Sequence, residues 1–314
     1  FKIINTSVFK NLNLGIDPTL FTSKQIKNFF LKNNKITIIK ENLVDKVLKL
    51  QNKKKSSFYS IDKSIAGESY HKKISRVSSF LKGNKYDYLF ITAPENVAWL
   101  LNIRGHDNPN SPLPNARLIL DKNKNIYFFS DIKKIKNIKK NLNYKKIKFY
   151  SFNNFYEFLS KINSKNFIID QLTCSIYYQS LIESKFKINS IEDPIYYLKS
   201  IKNKFEIQNM KKAHTKDGIA LTKFLYWIKQ DKNFGFDELF LEKKLELFRK
   251  LNKDYLNPSF NTIAGSGPNS AIIHYRSNKK SNRKLKKNHL LLVDSGGQYK
   301  WGTTDVTRTI SFNK

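Results

Sequence analysis

Two aspartates, Asp294 and Asp305, stand eleven positions apart in LLVDSGGQYKWGTTDVTRTI, residues 291 to 310, each among apolar and β-branched neighbours. If LLLVD and TTDVTRTI pair as a hairpin over Lys300-Trp301-Gly302, both carboxylates fall on one sheet face, one pair apart. A bulge at Gly296-Gly297 would bring them closer still. Leu292, Val293, Val306 and Ile310 predict that much of this hairpin is buried. Neighbouring buried carboxylates repel, and they resist ionising unless a proton or a cation sits between them. Hard divalent cations take oxygen ligands, and a close metal pair takes a bridging carboxylate. The alternative is a solvated hairpin face, with both aspartates hydrogen-bonded to threonines.

His274 lies in GPNSAIIHYRS, after Ala271, Ile272 and Ile273 and before Tyr275, which predicts a strand end at the edge of a core. A histidine there can donate to a substrate carbonyl or shuttle protons, or it can be a satisfied core residue. The glycines of AGSGPN are turn residues and not a phosphate loop, because no helix start or lysine follows in register. Arg104 and His106, in NIRGHDNP, lie in a loop after a helix. They bind an anionic or carbonyl group of a substrate, or they are simply solvated. His71 reads as surface, and His214 and His289 as structural, for want of neighbours at ligand spacing.

The elements that must position these residues alternate between helix and strand. Residues 1–50 read as the end of an α/β unit, with a helix turning Ile26, Phe29 and Phe30 inward and a strand at KITIIK. QNKKKSSFYSIDK, residues 51–63, is polar and aperiodic and reads as a linker. Residues 64–200 read as a mixed α/β domain: a helix with Tyr70, Ile74, Val77 and Leu81 inward and Gly83 at its stop, a strand YDYLFIT, and a hairpin of ARLILD and IYFFS. Residues 201–314 open on the longest helix, where Met210, Ala213, Ala220, Phe224 and Trp227 share a face broken only by Asp217. Asp237 caps a second helix through Leu241, Leu245 and Phe248.

Composition bounds the function. A 40% hydrophobic and 14% aromatic content excludes a disordered chain despite a formal net charge of +33. Lysines spread along the whole sequence favour compositional drift towards Lys, Asn and Ile over a nucleic-acid patch, and no binding motif with interleaved aromatics is present. No apolar run reaches the length of a membrane span. Cys174, the single cysteine, fits a reducing, cytoplasmic setting. Phe1 at the start, and a last strand with no helix behind it, predict a piece of a longer product.

Together these segments resemble the proline-specific aminopeptidases of the pita-bread metallopeptidase family, in their three-domain form. DSGGQYKWGTTDVTRT is similar to the stretch carrying that family's first two metal ligands, GPNSAIIHYR to its substrate-histidine segment, and MKKAHTKDGIALTKFLYWI to the opening helix of its catalytic domain. KENLVDKV and ENVAWLLNIRGHDNPNSP resemble connecting and second-domain segments of that three-domain form. The resemblance implies creatinase-like mixed-sheet domains followed by the first part of a pita-bread domain. It implies two divalent cations, manganese before zinc or cobalt, with Asp294 on one and Asp305 bridging both. His274 would hydrogen-bond the substrate or the oxyanion, and a water between the cations would attack the bond before proline. Peptides with proline second would be the substrates and a homodimer the assembly, with no nucleic-acid or membrane partner. One histidine and two glutamates that complete the family's ligand set have no counterpart here, so the 314 residues alone are expected to be inactive. A non-catalytic pita-bread relative that binds protein is the other expectation.

Overall fold

A computed structural model describes residues 11–29, 34–39, 41–48, 56–163, 166–230 and 235–312. Packing divides them into two units, one of residues up to 61 with 68–107 and 113–201, the other of 62–67, 108–112 and 202–314.

The first unit is built on a six-stranded mixed sheet, ordered Lys187–Ser190, Asn166–Ile169, Tyr88–Ile91, Ala116–Asp121, Ile126–Ser130, Ile147–Tyr150. Period-two alternation feeds a core on each face. Leu89 and Ile91 join Leu118, Leu120 and Phe128 on one side, while Phe90 joins Ile119, Phe129 and Phe167 on the other. The predicted helix spans Tyr70–Gly83, capped by the Ser69 side chain, with Ile74, Val77 and Leu81 buried. The predicted hairpin pairs from Ala116↔Ser130 to Leu120↔Ile126. Further forward, Asn13–Ile16 runs parallel to Lys35–Ile38, and Ile26 is buried beside Ile16. Phe30 lies outside the described residues.

The stretch predicted as a linker is partly structured. Residues 51–55 lie outside the described residues, but Phe58 is fully buried and Tyr59–Ser60 pairs antiparallel with Ile103–Arg104. Two adjacent aromatics among polar residues have no periodicity, so the burial of Phe58 leaves no pattern in the sequence.

Asp193 carries a pH dependence in this unit. It caps the helix Pro194–Ser200 by accepting from the Ile195 amide at 2.9 Å and from Asn96 at 2.8 Å. Burial lifts its carboxyl from 3.8 to about 6. Between those values the folded chain holds a proton that the unfolded chain has lost, so stability is expected to fall as pH rises from about 4 to 6, by up to about 3 kcal/mol. Asp193→Asn is expected to remove that slope from the urea midpoint. An identical pH profile in wild type and variant would contradict it.

In the second unit the Asn203 side chain caps the helix Lys204–Ile228 in a capping box with Glu206, and Asp237 caps Glu238–Lys250. Leu221, Phe224 and Ile228 of the first helix pack with Leu241 and Leu245 of the second against one three-stranded sheet, through Ala264, Leu291, Val293 and Ile310. Met210, predicted on the inner face, is 38% exposed. Asp217, the predicted interruption of that face, is buried.

Candidate functional site

The strand Leu291–Ser295 lies between Ile263–Ser266 and Val306–Ile310, antiparallel to both. Leu291, Val293 and Ile310 point inward to the helices. Asp294 pairs with Thr307, so alternation puts Asp294, Thr307 and Asp305 on the opposite, outer face. The predicted pairing therefore holds, and its alternation continued one residue past Val306 gives Asp305 the face of Asp294. The predicted burial does not hold: Asp294 is half-buried and Asp305 exposed, because the helices cover only the inner face. The Thr307 hydroxyl donates to Asp294 at 2.8 Å, as in the solvated alternative.

No bulge separates the two aspartates. The pairing offset of Asp294↔Thr307 is kept at Gln298↔Thr303, where the same hairpin continues in a second sheet. Gly296 is needed for another reason. A Cβ there would lie 2.0 Å from the Thr304 carbonyl oxygen and 2.2 Å from the Ser259 hydroxyl, so only glycine lets the strands approach.

A buried ion pair anchors this hairpin. Arg249 Nε and Nη2 donate to Asp217 at 2.7 and 3.1 Å, and Nη2 also donates to the Ser295 hydroxyl at 3.0 Å. The Tyr299 hydroxyl donates to Asp217 at 2.8 Å. Burial, then the Asp217 charge, push that phenol's pKa up. Both helices and both flanks of Gly296 are thus tied together immediately beside Asp294. The only sign of this in the sequence is the acidic break in an apolar helix face.

His274 is not at a strand end. Gly267–Ala271 is a 3-10 turn, Ile273 is 86% exposed, and His274 is an exposed turn residue with φ 55°. A positive φ is uncommon for a residue with a side chain. The core residue of this segment is Tyr275, 5% exposed. A short apolar run after Gly-Pro-Asn does not distinguish strand from turn. Nearby, Glu238 is fully buried and accepts from the Ser266 amide at 2.7 Å, Asn269 Nδ2 at 3.0 Å, the Tyr275 hydroxyl at 2.7 Å and the Arg283 amide at 3.1 Å. Nothing in the sequence marks Glu238. His289, expected to be structural, shares a 2.9 Å hydrogen bond with the Ser266 hydroxyl.

Arg104 and His106 belong to the first unit. Arg104 donates to the carbonyls of Ala98 and Ile103 at 3.3 and 2.8 Å. His106 stacks on Tyr59 with ring centroids 5.3 Å apart, and Tyr59 is the strand partner of Arg104. The structure thus gathers Arg104 and His106 around one tyrosine.

Two outward-facing carboxylates supply the hard oxygen donors that a divalent cation takes. They fit part of a metal site. Among the described residues no group of three or more His, Cys, Asp or Glu side chains is placed to hold a metal ion, and no helix is long and apolar enough to cross a membrane.

Comparison with known proteins gives these elements a common origin. Residues 49–206 match the creatinase/prolidase N-terminal domain and residues 208–314 match metallopeptidase family M24. The chain is 32% identical over 318 residues to the Xaa-Pro aminopeptidase ApepP of Drosophila melanogaster, covering 96% of this chain and 51% of that protein. Against Xaa-Pro aminopeptidase 1 of Dictyostelium discoideum the identity is 32% over 290 residues, 87% of this chain and 45% of that one. The crystal structure of X-prolyl aminopeptidase from Caenorhabditis elegans, described as a cytosolic enzyme with a di-nuclear active site, superposes with a TM-score of 0.86 at 28% identity, over 97% of this chain and 52% of that one. This chain spans about half the length of the relatives it matches. With its mixed-sheet unit in the one match and its aspartate-bearing hairpin in the other, the chain belongs to the creatinase/prolidase and M24 metallopeptidase family, among relatives that are Xaa-Pro aminopeptidases.

Proposed function

We propose that the protein to which this chain belongs is a metal-dependent aminopeptidase that releases the N-terminal residue from peptides with proline in the second position. The observation that carries this is the hairpin offset, the same at Asp294↔Thr307 and at Gln298↔Thr303, within a segment matching family M24. Asp294 would hold one divalent cation and Asp305 would bridge two, manganese before zinc or cobalt. When bound, such a pair supplies an acidified water and polarises the scissile carbonyl. His274, exposed on its turn, would donate to the substrate or to the developing oxyanion. Arg104 and His106 are candidate substrate-binding residues in the same proposal. The Caenorhabditis elegans neighbour, described as cytosolic, supports a cytoplasmic enzyme, and a homodimer is part of the same proposal. So is the division into an N-terminal remainder to residue 50, a second domain at 64–200 and the opening of the catalytic domain from 201.

The exposure of Asp305 favours one competitor, a family member that binds protein without catalysis. Metal content separates the two. The product of the whole reading frame, dialysed against Mn2+ and then against buffer, is expected to retain about two ions per chain, and residues 1–314 alone well under one. A whole product that retains none would overturn the aminopeptidase proposal.

A further inference from the structure

The segment from Ser266 to Arg283 is tied at both ends to one carboxylate. Glu238, fully buried, takes the Ser266 amide at 2.7 Å and Asn269 at 3.0 Å on Oε1, and the Tyr275 hydroxyl at 2.7 Å and the Arg283 amide at 3.1 Å on Oε2. Asn269 closes the ring by donating to the Ser281 carbonyl at 2.9 Å, and Arg283 donates to Asn269 Oδ1 at 3.2 Å. Between those ends the chain arches into solvent: Ile272 is 53% and Ile273 86% exposed, and His274 is exposed at φ 55°. Tyr275 is the next residue, and it is buried.

A left-handed backbone at a residue with a side chain persists only where its surroundings hold it. Here the hold is a charged acceptor with its donors fixed on both sides of the arch, and a hydrogen bond to a buried charge is stronger than one between neutral groups. We infer that Glu238, acting through the Tyr275 hydroxyl and Asn269, is a positioning residue that sets the orientation of His274. Glu238 is fully buried and Tyr275 only 5% exposed, which leaves direct contact with a peptide to His274. The inference rests on the role proposed for His274.

A double-mutant cycle on the whole reading-frame product tests it, with hydrolysis of an Xaa-Pro peptide as the readout. Tyr275→Phe removes one hydroxyl and is expected to lower kcat about tenfold with little change in KM. In a His274→Ala background the same substitution is expected to cost nothing further, because the group it positions is gone. If the two losses multiply, Tyr275 acts independently of His274 and the inference fails while the role of His274 stands. If Tyr275→Phe keeps full kcat, the inference fails likewise. If His274→Ala keeps full kcat, the role of His274 fails and the inference falls with it. Ser281→Ala, which removes another partner of the Tyr275 hydroxyl at 3.1 Å, is expected to show the same non-additivity in milder form should Tyr275→Phe not fold.

Discussion

Replacing Asp294 or Asp305 by alanine in the whole reading-frame product is expected to lower Xaa-Pro peptide hydrolysis by at least about a thousandfold, the scale on which a catalytic cation acts. The two variants are expected to differ in metal content. Asp305→Ala, which removes the proposed bridge, should lose both ions, while Asp294→Ala should lose chiefly one. Stability should barely move, within about 0.5 kcal/mol, because such side chains lie outside the core. Asp305 is exposed, and the hydrogen bond to Asp294 comes from exposed Thr307. Folding and catalysis are thereby separated. Variants that fold and keep both ions and turnover would leave the hairpin a solvated surface feature.

Arg249→Met is expected to have the opposite signature. It strands Asp217 in the core with the Tyr299 hydroxyl as its remaining donor from this network, and breaking a buried pair in this way costs about 3–5 kcal/mol. The urea midpoint should fall accordingly. Adding Asp217→Leu is expected to restore part of the loss, since two apolar side chains leave no uncompensated charge. A single-variant loss below about 1 kcal/mol would place this pair among surface-like ion pairs and remove it as the anchor of the hairpin.

Much of this structure was legible because its signals are local. Ile74, Val77 and Leu81 recur at helical spacing and are buried on one helix face. Asp237 caps where a capping residue was expected. The hairpin follows from alternation on both sides of a short turn, and its register from Lys300 and Trp301 at the tip. The burial of Asp294 and Asp305 is not legible, because alternation says which face a residue takes and not whether anything lies over it. The apolar run of Ala271, Ile272 and Ile273 points to a strand at His274, whereas the Gly267-Pro268-Asn269 start favours the tight turn that forms. The two buried networks were not legible as such. Glu238 meets Ser266, Asn269, Tyr275 and Arg283 across separations of 28, 31, 37 and 45 residues, and Asp217 meets Arg249 across 32. Such meetings are made by the fold, and no spacing in the chain announces them. The family resemblance reached further because DSGGQYKWGTTDVTRT combines an obligatory glycine, the turn and both carboxylates in one stretch.

The most direct test is hydrolysis itself. The whole reading-frame product, loaded with Mn2+, is incubated with a pair of tripeptides identical except for proline or alanine at the second position, and release of the first residue is followed with and without a chelator. The account predicts cleavage of the proline peptide, loss of that cleavage on chelation, recovery when a divalent cation is returned, and little action on the alanine peptide. A metal-loaded product that leaves the proline peptide intact, or that cleaves it equally well under chelation, would contradict it.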